Sequence, residues 1–291
     1  MANAFGIVYS SAAGNHQVTR DASIMKRLQP GLAAQAAVVA VELAQRGICG
    51  PQGVFDGTDG FFRVYLHNRA AGDDVRADLG ERFELLNLSY KPYPCCRDTH
   101  AAVDAVLQLR AMAHRPPGDI ESIRVGLTAP GYQMVCVPEP VRAAPRTVVE
   151  AQFSIPYAVA ASWIDGTLGI GHFTDEGLRR ADIFDLASRV QSFVDEEIDR
   201  EWRRSVTPAR VIVRFTDGQT LEARVDYSKG HPRNPMTLAE LAAKTKDCAE
   251  FAARPLAAHT AEQLTSTVSQ LESLAGVSSL LQILAPVEEG S

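Results

Sequence analysis

The chain has 291 residues, 46% of them hydrophobic and 22% charged, ordinary values for a globular protein of about two domains. A net charge of -6 with scattered Lys and Arg argues against nucleic acid as a partner, and five cysteines without C-x-x-C spacing argue against a disulfide framework or a zinc knuckle. The chain opens without a basic segment followed by an apolar one, and no apolar run reaches the roughly 18 residues of a membrane span, so a cytoplasmic protein with no membrane contact is expected.

In chain order, MANAFGIVYSSAAGNHQ at 1–17 is rich in Ala, Gly and Ser, which suits a helix that packs close to its neighbours. DASIMKRLQPG at 21–31 places Lys26 and Arg27 before a Pro-Gly break, and Leu32 to Arg46 reads as a helix of small residues closed by Gly47. Gly50 to Tyr65 reads as a loop with an aromatic plug of Phe55, Phe61, Phe62 and Tyr65. A short polar helix is expected over 73–83, and one capped by Thr99 carries Ala102, Val103, Val106, Leu107 and Leu109 on its apolar face.

After RPPGD the apolar period falls from 3.6 to 2. Ile123, Val125 and Leu127 then mark a half-buried strand. Helical spacing returns over Glu150 to Asp165, with Pro156 at a kink or in the first turn. Asp182 is expected to cap a long helix with Ile183, Leu186, Ala187, Val190, Phe193 and Val194 on one face. Val211, Val213 and Phe215, an Asp217-Gly218 turn, then Leu221, Ala223 and Val225 predict a hairpin in a small antiparallel sheet. Helices are expected over Leu238 to Ala253 and Ala261 to Leu284, with a fraying VEEGS end. The fold class is α+β: a mainly helical domain, 1–88 and 235–291, interrupted by a smaller α+β domain at 89–234.

One stretch concentrates chemistry. KPYPCCRDTH, Lys91 to His100, puts a lysine, two cysteines, an arginine, an aspartate and a histidine on an arm stiffened by Pro92 and Pro94. The arm ends at a helix N-terminus, where unpaired amides and the dipole favour an anion. Arg97 suits a bidentate grip on a carboxylate, and Lys26 and Lys91 a point contact or, if desolvated, base catalysis; for each, plain solvated charge is the alternative. His100, in the first turn, is either a general base with a lowered pKa or an ordinary helix-start histidine. Cys96 beside Lys91 and Arg97 is a conceivable thiolate. YSKGHPRNPM at 227–236, with Lys229, is a second charged, proline-stiffened loop.

Together MKRLQPGLAAQAA (25–37), KPYPCCRDTHAAVDA (91–105), AQFSIPYAVA (151–160) and SKGHPRNPMT (228–237) resemble the 2-methylcitrate dehydratase, or MmgE/PrpD, family. That resemblance implies a helical domain and an α+β lid with the active site between them, a homodimer, and no metal or cofactor. It implies a small di- or tricarboxylate substrate and a lyase or isomerase that removes a proton α to a carboxylate. Hydroxide or carbon dioxide then leaves, or the proton returns on the other face. By motif, Lys26 and Lys91 are the active-site lysines and Tyr157 a substrate-contacting hydroxyl; from the residues themselves, His100 is expected as a further proton-transfer group and Arg97, Cys96 and Lys229 as substrate contacts. Near the lysine, where the decarboxylase branch places a histidine, this chain has Cys95-Cys96, so the dehydratase or epimerase type is expected. The family's helical region ahead of Ala4, with its histidines and acids, has no counterpart here. The competing expectation is a non-catalytic truncated remnant, or a half that depends on a partner.

Overall fold

A computed structural model of the chain describes residues 1–21, 23–67, 69, 76–202, 207–253 and 256–284. The chain divides into two compact units, Met1–Leu86 and Asn87–Ser291, and together they are α+β. No helix among the described residues is long and apolar enough to cross a membrane.

The first unit is helical: α1 Ala2–Tyr9, α2 Gln17–Arg20, α3 Met25–Gln45 and α4 Phe61–Val64. Helix α1 lies on α3. Gly6 of α1 meets the backbone at Gly50 and Pro51 so closely that a Cβ would strike main-chain atoms, which accounts for the glycine in this Ala-rich start. The aromatic plug forms as a chain of ring contacts, Phe5 to Phe55 at 5.8 Å, Phe55 to Phe62 at 6.0 Å and Phe61 to Tyr65 at 5.2 Å. Pro30 does not break the helix as expected. It lies inside α3, where it removes one intrahelical hydrogen bond without ending the run, so Lys26 stands on a helix. Gly47 follows with φ +91°, the expected left-handed end. Of the polar helix expected over 73–83, residues 73–75 lie outside the described residues and 77–81 form turns; the VEEGS end also lies outside.

In the second unit the helices are α5 His100–Ala113, α6 Ala129–Val135, α7 Glu139–Ala143, α8 Val148–Gln152, α9 Ile155–Asp165, α10 Ala181–Ala187, α11 Glu196–Glu201, α12 Leu238–Glu250, α13 Ala258–Val268 and α14 Ser278–Leu284. The strands are β1 Ile120–Leu127, β2 Val190–Val194, β3 Ala209–Phe215 and β4 Thr220–Val225, in the order β2-β1-β3-β4. The hairpin β3–β4 is antiparallel as expected, with Val211 opposite Ala223. The sheet as a whole is mixed, however, because β2 runs parallel to β1.

That pairing corrects the long helix expected from Asp182. Helix α10 ends at Ala187, and Val190 to Val194 become an edge strand. A short apolar run with β-branched ends fits either period, and here the free edge of β1 decides. Ile123 N donates to Arg189 O at 3.0 Å, and the Arg189 guanidinium bonds the Ile120 carbonyl at 2.5 Å. The helix expected over 261–284 is likewise divided into α13, a 3-10 turn at Leu271–Ser273 and α14. The segment from Glu150 to Asp165 is divided into α8 and α9, with Pro156 in the first turn of α9.

The core belongs to this unit. Helices α5 and α9 pack on each other and on the sheet, α5 against β3 and β4 and α9 against β2. Ala101, Val103, Val106, Leu109, Ile123, Val125, Leu127, Val211, Val213 and Phe215 are wholly buried between them. Elsewhere β3 and β4 carry an ion-pair network in which Arg210 meets Asp195 at 2.8 Å, Glu197 at 2.5 Å and Glu222 at 2.6 Å.

Candidate functional site

The arm 90–96 is held to the loop 227–236. Tyr90 N donates to Gly230 O at 2.9 Å, and Gly230, at φ +84°, brings its α-carbon so near the Tyr90 carbonyl that no Cβ would fit. Lys91 is exposed and its Nζ turns back to the Cys95 carbonyl at 3.1 Å. A 3-10 turn, Arg97–Thr99, then feeds α5. Thr99 makes no side-chain cap to that helix; its hydroxyl donates to Cys96 O at 2.8 Å and receives the Cys95 thiol at 2.9 Å.

Neither cysteine is poised as a thiolate. Burial pushes Cys95 up to about 12, and burial together with the Asp98 carboxylate pushes Cys96 up to about 11, so both are thiols near neutral pH. The position of Cys96 is nonetheless central. Its amide is bound by Gln152 O at 2.8 Å, its thiol faces Asp98 at 3.7 Å, and Asp98 in turn receives the Thr207 hydroxyl.

Arg97 and His100 stand one helical turn apart. Arg97 Nη1 donates to Tyr90 O at 3.2 Å and Lys229 O at 3.0 Å, and lies 3.2 Å from His100 Nδ1. A guanidinium only donates, so Nδ1 is the acceptor and the neutral ring carries its proton on Nε2. His100 has no exposed surface. Burial, then the charges of Arg97 and Lys91, lower its pKa to about 3; the Cys95 carbonyl opposes them and Lys244 adds to them. The ring is therefore neutral, as a lowered pKa at a helix start predicts, and presents a donor at Nε2. Among the described residues, neither Arg97 Nη2 nor His100 Nε2, both buried, has a hydrogen-bond partner.

A carboxylate holds the loop from below. Asp104, one turn beyond His100 on α5, accepts from Tyr93 Oη at 2.6 Å and from Lys229 N at 2.6 Å. Burial raises its pKa against the pull of these bonds. The Lys229 peptide is thus clasped by Asp104 at its amide and, through Arg97, at its carbonyl. Lys229 Nζ reaches Glu240 of α12 at 2.9 Å, and Tyr93 meets the His100 ring edge-on at 5.1 Å.

The second unit therefore brings together Lys91, Cys96, Arg97, His100 and Lys229. Tyr157 is placed otherwise: wholly buried on α9, it gives its hydroxyl to the carbonyls of His172 at 2.6 Å and Gly177 at 3.2 Å, with its pKa pushed up to about 12 by burial. Lys26 lies in the first unit, on α3. Three participants were missed. Tyr93 and Asp104 had a signal, an aromatic on the stiffened arm and an acid four residues past His100 on an apolar helix, whereas Lys244 of α12 had none. Among the described residues no group of three or more His, Cys, Asp or Glu side chains could hold a metal ion.

The MmgE/PrpD C-terminal domain matches residues 93–270 and the MmgE/PrpD N-terminal domain residues 1–73, so the chain belongs to the MmgE/PrpD family. Among individual relatives it is similar to cis-aconitate decarboxylase of Aspergillus terreus, 26% identical over 98% of this chain and 59% of that protein. It is also similar to the cis-aconitate decarboxylases of Homo sapiens, 27% identical over 89% of this chain and 52% of that protein, and Mus musculus, 27% over 92% and 54%. The chain thus spans little more than half the length of these curated relatives.

Proposed function

We propose that the chain carries the carboxylate-handling part of a lyase that removes a proton α to a carboxylate of a small tricarboxylic acid. The observation that supports this reading is the cationic cluster at the start of α5, where Arg97 lies 3.2 Å from the buried His100 and Lys91 stands on the same stiffened arm with its Nζ on the Cys95 carbonyl at 3.1 Å. Such a cluster at a helix start attracts a polyanion and stabilises the charge that develops on an enolate. The cis-aconitate decarboxylases among its relatives support a tricarboxylate over a dicarboxylate. In this reading Lys91 is the group nearest to base or enolate duty, Arg97 and Cys96 line the carboxylate end, and Lys229 fixes the loop. The protein is proposed to act as a cytoplasmic homodimer and to need no cofactor, since the cations supply the electrostatic stabilisation the step requires.

The test is turnover on cis-aconitate, 2-methylcitrate and iminodisuccinate, with carbon dioxide and the unsaturated or epimerised product measured separately. Dehydration or epimerisation is the outcome favoured by Cys95-Cys96; release of carbon dioxide would assign the chain to the chemistry of its named relatives. No turnover of any of the three by a well-folded sample would overturn the reading for this chain.

A second reading, a half that requires a partner, has its own observation. In the first unit α3 leaves Leu28, Leu32, Val38, Val39 and Val41 between 46% and 60% exposed, and an apolar cavity of about 670 Å³ opens among Phe5, Tyr9, Leu32, Ala36, Phe55 and Phe61. Apolar surface of this extent marks an interaction face. Light scattering that shows a clean monomer without dye-binding apolar surface would count against it.

A further inference from the structure

Buried polar groups in native proteins are almost always hydrogen-bonded, because leaving a donor dry forfeits its solvation. Two unmet donors close together in one cluster therefore call for an explanation. Arg97 Nη2 and His100 Nε2 are such a pair, joined through the 3.2 Å contact of Arg97 Nη1 with His100 Nδ1. The charges acting on the histidine are mostly cationic, Lys91, Arg97 and Lys244. On the other side of Arg97 the nearby acids already have partners: Asp104 is bound to Tyr93 and Lys229, and Asp98 to Thr207. His231, on the loop, also senses Arg97. Among the described residues, then, neither donor has an acceptor, and the nearby carboxylates are engaged elsewhere.

We propose that Arg97 Nη2 and His100 Nε2–H form a two-donor seat for one carboxylate of the substrate, with His100 serving as a neutral hydrogen-bond donor. The assignment rests on the carboxylate reading above and narrows it: it takes His100 out of the proton-transfer set and makes it a determinant of which anion fits. A carboxylate presents two oxygens to the pair, one to the guanidinium and one to the imidazole N–H. The arrangement follows from the fold. Position 97 ends the stiff arm and position 100 opens α5, so both donors are set before any ligand arrives and little ordering is required on binding.

The seat is tested without turnover, using the non-reactive probe propane-1,2,3-tricarboxylate. In wild-type protein, nitrogen-detected NMR of the histidine rings should show His100 as the Nε2–H tautomer, assigned by comparison with His100→Gln, and its Nε2–H signal should move on titration with the probe. Calorimetry from about pH 5 to about pH 8 should give an affinity that does not vary once the ionisation of the probe's own carboxyls is accounted for, because this ring does not titrate there. Arg97→Gln should weaken the probe about tenfold to a hundredfold. His100→Gln, which retains an amide donor near the same place, should stay within about threefold, and His100→Leu should lose as much as Arg97→Gln. Circular dichroism and urea midpoints identify any variant that has failed to fold, and the wild-type NMR decides independently of them. An Nε2 that bears no proton, a signal unmoved at saturating probe, or equal affinities in wild type and Arg97→Gln would overturn the seat. Probe binding with this signature but no turnover would leave the seat standing and remove only the catalytic reading.

Discussion

Replacing Asp104 by alanine tests how the two loops are held together. The carboxylate accepts two hydrogen bonds of 2.6 Å, from Tyr93 Oη and Lys229 N. Each bond to an ionised group is worth about 1.5–3 kcal/mol, and removing both leaves two half-buried donors unmet. Against that, the buried charge is itself unfavourable, as its raised pKa records, so the net loss should be roughly 2–4 kcal/mol. Asp104→Asn behaves differently, because its carbonyl still accepts from Lys229 while its amide donates to the Tyr93 oxygen once that hydroxyl turns. We expect it to lose less than about 1.5 kcal/mol. Urea unfolding followed by tryptophan fluorescence is the assay, since both tryptophans, Trp163 and Trp202, lie in the second unit. The loss should appear as a lower midpoint at unchanged slope, together with faster hydrogen exchange at the Lys229 amide. Equal losses for the two variants, or a loss below about 1 kcal/mol for alanine, would refute the clasp.

Further expectations concern the same unit. Gly230→Ala must force a side chain onto the Tyr90 carbonyl at φ +84°, and should cost roughly 1–3 kcal/mol and loosen the loop from the arm, as read by hydrogen exchange at Tyr90. Burial raises the pKa of Asp195, but the amides of Ile198 and Glu197 and the Arg210 guanidinium outweigh it and hold the carboxyl below its ordinary value. Its contribution is therefore present above the unfolded pKa of about 4 and lost as pH falls through the folded value, so acid titration of Asp195→Asn should be flatter than that of wild type. Asp104, with a raised pKa, acts in the opposite sense: folding is favoured by its protonation, and that advantage fades as pH rises from about 4. Native-state alkylation followed by mass spectrometry should label exposed Cys49 and Cys248 first, while buried Cys95 and Cys136, raised to about 12 and about 11, react only on unfolding.

What could be read in advance depended on whether a signal was local. The β3–β4 hairpin was legible because Asp217-Gly218 and the strict alternation on either side specify both turn and register. The strand at Val190 was not, since its five residues fit a helix face equally well until β1 offers an unpaired edge. Pro30 misled for a related reason: a proline near a helix start removes a single bond, which the remaining turns tolerate. At the site, the clustering of Lys91, Arg97 and His100 was visible because they are neighbours in sequence. Lys244 and the clasp of Lys229 by Asp104 join residues more than a hundred positions apart, and nothing local announces them. Tyr157 carried a motif but no indication that its hydroxyl would be taken up by main-chain carbonyls.

Helix α5 meets the arm with polar residues at its first turn and is sunk in the core from Ala101 through Val106 and again at Leu109. The division of labour has an evolutionary consequence. In the proposed reading, Cys96 and the Lys229 side chain can be exchanged to suit an anion of another length or charge, while buried Cys95, tightly fitted Gly230 and the rod beneath keep their packing. Selection for a new substrate would then act on a handful of side chains at one tip, leaving the folding of the whole unit largely untouched.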